Sequence, residues 1–173
     1  MSNGPLTNKV RGLMVEIKKE QMKIIITMVL LCCASIVKAQ QTAIHFNQLD
    51  SLQKLKPKPV FVFIHTNWCS YCKAMDEVVF KDKTVAKLLR DEYYFVRLDA
   101  EEKSTITYAN QKFEFKANKG VHDLAFALGN QNGKLAFPTS CILDGQNRIL
   151  YQQHEFVKAN ELIEVLKHFT NKN

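Results

Sequence analysis

The chain has 173 residues, 46% of them hydrophobic and 24% charged, values that fit one globular domain with a short additional segment and exclude disordered, collagenous or disulfide-dense classes. Its formal charge is +7, from 24 basic and 17 acidic residues. Residues 1–39 hold six of the basic and two of the acidic ones, which leaves 18 against 15, a net +3, for the remainder. That excess is too mild, and too free of arginine-rich or aromatic-basic runs, to indicate a nucleic-acid partner.

The first 39 residues do not read as part of a domain. Ile24 to Val37 are fourteen uncharged, mostly apolar residues, preceded by Lys18, Lys19 and Lys23 and followed by Lys38-Ala39. Basic, then apolar, then small residues is the order of a secretory signal peptide, and fourteen residues fall short of the roughly 20 that a membrane span needs. Cleavage after Ala39 would leave a domain of residues 40–173. Met22-Lys23 would suffice as a start, so residues 1–21 read as an extended or misassigned N-terminus. An uncleaved anchor over residues 24–37 and a buried core helix are the alternatives.

Along the remaining domain, Ile44 and Phe46 alternate as a short first strand. A brief helix starting at Asn47 or Asp50 runs to Leu55, ended by Pro57 and Pro59. Val60-Phe61-Val62-Phe63-Ile64 is a continuous apolar run, the pattern of a strand covered on both faces. One helix is expected from Ser70 through Val79 and a second from Thr84 to Asp91, with Val85, Leu88 and Leu89 on one side. Tyr93 to Asp99 reads as the next strand. Between 105 and 116, Ile106, Tyr108, Phe113 and Phe115 flank Asn110-Gln111 as a small β-hairpin, a plain loop being the alternative. A helix over 119–128, a turn over 129–133, strands over 139–143 and 149–153 around Asp144-Gly145, and a helix over 160–169 complete the chain. This α/β order predicts a mixed sheet flanked by helices on both faces.

Removal of the leader would leave three cysteines, Cys69, Cys72 and Cys141. One close pair and one single residue do not make a disulfide framework. Cys69 and Cys72 fall where a buried strand turns into a helix. There the free N–H groups and dipole of the helix N-terminus favour a thiolate at Cys69. Cys72, one turn on, is placed to attack a mixed disulfide formed at Cys69 and release its partner. A zinc site needs two more ligands, and His65, His122, His154 and Cys141 show no second close pair; a purely structural disulfide is the other bland reading. No metal and no cofactor are expected.

Phe137-Pro138-Thr139 enters the strand that should neighbour the cysteine strand. Alone it is an ordinary strand-edge proline. Placed 66 residues after the cysteine pair, it suggests a cis proline that turns the backbone toward Cys69 and exposes Phe137 polar groups to an extended peptide.

With these residues in view, about residues 43–169 resemble the thioredoxin superfamily. Val60 to Asp99, carrying Asn67-Trp68-Cys69-Ser70-Tyr71-Cys72-Lys73 and Val79-Phe80-Lys81-Asp82 with Val85 and Leu89, is most similar to the domains of exported bacterial thiol:disulfide interchange proteins, including the C-terminal domain of the membrane electron-transfer protein. The resemblance implies a thioredoxin-like fold with an insertion before the cis-proline strand. It implies Cys69 as attacking thiol, Cys72 as resolving thiol, Trp68 as a flanking wall and Pro138 as the cis proline. Trp68, Ser70, Tyr71, Phe137, Pro138 and Thr139 are expected to face the substrate. Phe63 stands where many thioredoxins carry a buried acid, so Asp76, with His65 second, is the expected proton-handling group; the alternative is a solvated helix residue. Ser70-Tyr71 replaces the usual Gly-Pro. Cys141 is expected to be a buried inert thiol, His154 and His168 surface residues, and His122 an ordinary helix position.

The function expected on this basis is an exported, periplasmic thiol–disulfide oxidoreductase, reducing or exchanging protein disulfides. Its partners would be disulfide-containing proteins and a membrane or envelope electron donor, and the chain would be a monomer. Oxidase and isomerase share the same residues and differ in redox poise. A copper-binding chaperone on the same fold is the alternative of a different class.

Overall fold

Val60–His65 (β1) is buried along almost its whole length and owes this to its place in the middle of the sheet. In the computed structural model, which describes residues 43–170 and, nearer the N-terminus, residues 14, 16, 18–23 and 28, β1 pairs in parallel with Tyr94–Asp99 (β2). On its other edge it pairs antiparallel with Thr139–Leu143 (β9), and Ile149–Gln153 (β10) closes the sheet in the order β10-β9-β1-β2. A strand with neighbours on both edges and helices on both faces has no side for polar residues, hence the unbroken apolar run.

The described N-terminal residues are helical, with a Lys23–Glu20 ion pair, and belong to a compact unit separate from residues 41–173. The apolar segment 24–37, apart from Met28, and the expected cleavage point lie outside the described residues. Among the described residues no helix is long and apolar enough to cross a membrane.

Alternation along β1 divides the interior into two clusters. Val60, Val62 and Ile64 pack with Phe46 and Leu49 of Phe46–Leu55 (α1), and with Leu124 and Leu128 of a later helix. Phe61 and Phe63 pack with Cys69, Cys72, Met75 and the helices on the other face. That second layer consists of Ser70–Ala74 (α2) with its continuation Met75–Val79, then Lys83–Glu92 (α3) and the C-terminal helix Ala159–Thr170 (α5). The helix expected over 70–79 is therefore present but changes pitch. Met75–Val79 is a π turn, with the Phe80 amide donating to the Met75 carbonyl at 2.9 Å, and it keeps both Met75 and Val79 buried. Asp82 starts α3 by accepting from the amides of Thr84 and Val85 at 2.8 and 3.0 Å, a cap worth about 1 kcal/mol.

Three expectations are corrected. Ile44 makes only a single parallel bridge to Val96, and Phe46 is helical, because the Gln48 side chain caps the His45 amide and the Phe46 ring packs edge-on against Tyr108. The helix expected from 119 starts at Asp123 (Asp123–Gly129, α4). Gly120, at φ +71°, closes a turn between Phe115–Lys116 (β5) and Val121–His122 (β6), so the chain is extended just ahead of the helix. The turn over 129–133 proves to be a small hairpin of Asn130–Gln131 (β7) and Lys134–Leu135 (β8) around Asn132-Gly133, both at positive φ. The hairpin expected near 105–116 is formed by Ile106–Tyr108 (β3) and Gln111–Phe113 (β4) across Ala109-Asn110.

Candidate functional site

The chain leaves the C-terminal end of β1 at His65 and turns through Thr66–Trp68, with the Cys69 amide donating to the Thr66 carbonyl at 3.3 Å. Cys69 is the N-cap of α2. It is joined to Cys72 in a disulfide with the two Cα atoms 5.2 Å apart, and the Cys72 amide donates to the Cys69 sulfur at 3.0 Å. That amide is one of the N–H groups a helix cannot satisfy internally. After reduction, an N–H aimed at Cys69 stabilises its thiolate relative to its thiol. Both cysteines are buried, Cys69 at 5% exposure and Cys72 at 2%, so the first is the easier for a partner to reach.

Two aromatic side chains stand out from the surface beside the disulfide: Trp68 and Tyr71 are each 66% exposed. Trp68 donates through Nε1 to Glu101 at 3.2 Å and meets the Phe137 ring edge-on at 5.7 Å. The Phe137–Pro138 peptide is cis. Tyr71, Phe137, Pro138, His154, Glu155 and Phe156 line a cleft of about 360 Å³. Ser70 is exposed at the start of α2, whereas Thr139 is fully buried and acts on the cleft indirectly. Its hydroxyl donates to the Ala136 carbonyl at 2.7 Å, so the 3.1 Å bond to His154 Nδ1 requires the imidazole to be the donor there. His154 is thus a half-buried wall of the cleft rather than a surface residue.

On the other side of the cysteine helix, Asp76 sits in the π turn with both carboxylate oxygens bound by Arg97 of β2. The guanidinium lies over the Phe63 ring, 5.4 Å from its centre. His65 stacks on the same ring at 5.6 Å. Burial, and then the neighbouring Arg97, lower the His65 pKa below its ordinary value, partly offset by Asp99 and Asp76.

A family described as Thioredoxin-like matches residues 49–144. The chain belongs to that family. Among solved structures, a thioredoxin from Thermus thermophilus superposes with a TM-score of 0.54 at 18% identity, over 74% of this chain and 85% of that one. A disulphide isomerase from Xylella fastidiosa Temecula1 gives 0.51 at 15%, over 79% and 98%. The DsbD C-terminal domain from Neisseria meningitidis in its reduced form gives 0.49 at 21%, over 69% and 89%. The likeness to the first two, at 18% and 15% identity, is one of fold. No curated protein matches the chain.

The thioredoxin-like core carries its third cysteine on the opposite face. Cys141 is fully buried in β9 among the residues of the α1 side, and burial pushes its pKa up to about 12. In the native protein it should therefore resist iodoacetamide at pH 8, reacting only after denaturation, as counted by mass spectrometry. Its ordinary value is 9.0. The unfolded chain consequently loses this proton first, and Cys141 makes the fold progressively less stable as pH rises from about 9 to about 12. Among the described residues, no group of three or more His, Cys, Asp or Glu side chains is arranged to hold a metal ion.

Several residues around the site escaped the sequence reading. Arg97 interrupts the apolar run of β2, which is the signal that could have found it. Glu101 and His154 carry no such mark. His122 is not an ordinary helix position: it is fully buried, caps α4 by accepting from the Leu124 amide at 3.2 Å, and lies 3.2 Å from the Ser104 carbonyl.

Proposed function

We propose that this protein is an exported thiol–disulfide oxidoreductase that reduces or exchanges disulfides of other proteins in a bacterial envelope. The observation that carries the reading is the Cys69–Cys72 disulfide across the first turn of α2, with the Cys72 amide directed at the Cys69 sulfur.

In the reductive direction the Cys69 thiolate attacks one sulfur of a substrate disulfide. A mixed disulfide forms and the other substrate sulfur leaves as a thiolate that takes up a proton. The Cys72 thiolate then attacks Cys69, releasing the second substrate thiol and forming the Cys69–Cys72 disulfide. Two electrons have passed to the substrate, and an envelope or membrane dithiol donor restores the pair. Trp68, Ser70, Tyr71, Phe137 and Pro138 border the path of an incoming chain, and a cis proline beside the cysteines suits the docking of an extended peptide. Asp76, held by Arg97, serves as the proton-handling group of this reading. The apolar segment 24–37 supports export, and the reaction needs one copy of the chain.

The direction is tested by equilibrating the full chain against dithiothreitol or glutathione and following the peptide that carries both cysteines by alkylation and mass. The expected potential is near thioredoxin's, about −270 mV, which belongs to a reductase with a dedicated electron supply. A value near −120 mV would make the protein a disulfide donor instead.

A further inference from the structure

Alternation along the central strands sorts their side chains strictly. Phe61 and Phe63 of β1 and Ile142 of β9 belong to the cluster that contains Cys69 and Cys72, whereas Val62, Ile64, Cys141 and Leu143 belong to the opposite one. Ser140 pairs across the strands with Phe63, so its side chain projects with Ile142 onto the cysteine side. It is fully buried there, and its hydroxyl has no hydrogen-bond partner. Unpaired buried hydroxyls are rare enough in folded proteins to call for an explanation.

Other candidates for the same duty are occupied or misplaced. His122, Thr139 and Asp144, the remaining buried polar side chains apart from Thr66, are all bonded. Thr66 also has an unpaired hydroxyl, but it lies past the end of β1, in the turn before Cys69, where no strand register fixes its side. Phe63 fills the position across from Ser140, and the Asp76 carboxylate, which accepts from Arg97 through both oxygens, has no donor to offer a sulfur. Ser140 is therefore the buried, uncommitted hydrogen-bond donor that strand register places on the cysteine side.

We propose that Ser140 is the donor that receives the Cys72 sulfur when the Cys69–Cys72 disulfide is reduced. A disulfide sulfur is a weak acceptor, and in the oxidised state Ser140 has nothing to bind. Reduction by a dithiol delivers two electrons and two protons: the S–S bond breaks, two thiols form and the reductant becomes a disulfide. Cys72, at 2% exposure, must then carry a thiolate when it attacks the mixed disulfide at Cys69. A buried hydroxyl on the same side of the sheet stabilises that charge in place of water. Because the hydroxyl is unpaired in the disulfide state and paired in the dithiol state, it biases the pair toward reduction.

The inference rests on the redox reading of the pair, but it can be measured without any protein substrate. The full chain and its Ser140→Ala, Ser140→Thr and Ser140→Val variants are equilibrated against oxidised and reduced dithiothreitol, and the cysteine peptide is quantified by alkylation and mass. Thr and Val share a shape and differ by the hydroxyl alone. Ser140→Ala and Ser140→Val should make the disulfide about tenfold harder to reduce, a shift of about 30 mV to more negative potential. Ser140→Thr should stay within about threefold of the parent. A merely structural serine would move the Thr and Val variants together; that result, or an Ala variant within twofold of the parent, overturns the proposal. Failure of Cys72→Ser to trap any partner would instead remove the oxidoreductase reading, leaving this equilibrium measurable.

Discussion

Cys69→Ser is expected to reduce disulfide exchange to the uncatalysed background, while Cys72→Ser accumulates mixed disulfides that do not resolve. The asymmetry follows from geometry. Cys69 is the more exposed of the two cysteines and its sulfur receives the Cys72 amide, so its thiolate is the easier to reach and is stabilised. Cys72 lies deeper and can act only on a sulfur already bound at Cys69. Without Cys72 the first attack still proceeds, but the leaving step has no internal nucleophile. Non-reducing electrophoresis of envelope proteins after acid quenching reads the difference as partner bands with Cys72→Ser and none with Cys69→Ser. Equal trapping by both variants, or by neither, would remove the proposed order of attack.

Phe61→Ala should lower the unfolding free energy by about 3–5 kcal/mol, a large part of the 5–15 kcal/mol available to an ordinary domain. Phe61 is fully buried in β1 and is flanked by Phe95 at 5.8 Å and Phe80 at 6.2 Å between ring centres. Its loss opens a cavity beneath the helix that carries Cys72, in a cluster whose neighbours are fixed by the sheet on one side and by α3 and α5 on the other. A surrounding this well anchored cannot collapse into the space. Urea unfolding should show the midpoint falling with the slope unchanged. Ile149→Ala, at a 42% exposed position of the edge strand β10, should change stability by less than about 0.5 kcal/mol.

The elements that could be read in advance are those whose signal is local. Val60 to Ile64 is apolar at every position because β1 has both edges and both faces covered, and Asp82 marks the start of α3 with a side chain that can reach its first amides. Asp144-Gly145 between two strand-like runs likewise announces the β9–β10 hairpin. Local signals failed where a distant contact outweighed them. Phe46 alternates with Ile44 like a strand residue, yet it is helical because its ring has Tyr108 to pack against. Lys119 to His122 reads as helical in the chain alone because the chemistry that breaks the helix, Gly120 at positive φ and a histidine cap, depends on a turn closed onto Lys116.

The same division holds at the site. Cys69, Cys72 and Pro138 are legible in the chain itself, because a nucleophile at a strand-to-helix turn, a second cysteine one turn later and a proline entering the neighbouring strand are patterns of spacing. Those patterns, together with the order of strands and helices, predict a mixed sheet flanked by helices, and the resemblance of Val60 to Asp99 implies the thioredoxin-like form of it. Only the tertiary structure decided what surrounds the cysteines. Arg97 and Asp76 are 21 residues apart, Thr139 and His154 are 15 apart, and Ser140 reaches the cysteine side only through its register with Phe63. Burial and hydrogen-bond partnership depend on which strands lie side by side, and an isolated serine or histidine carries no mark of the neighbour that folding will bring to it.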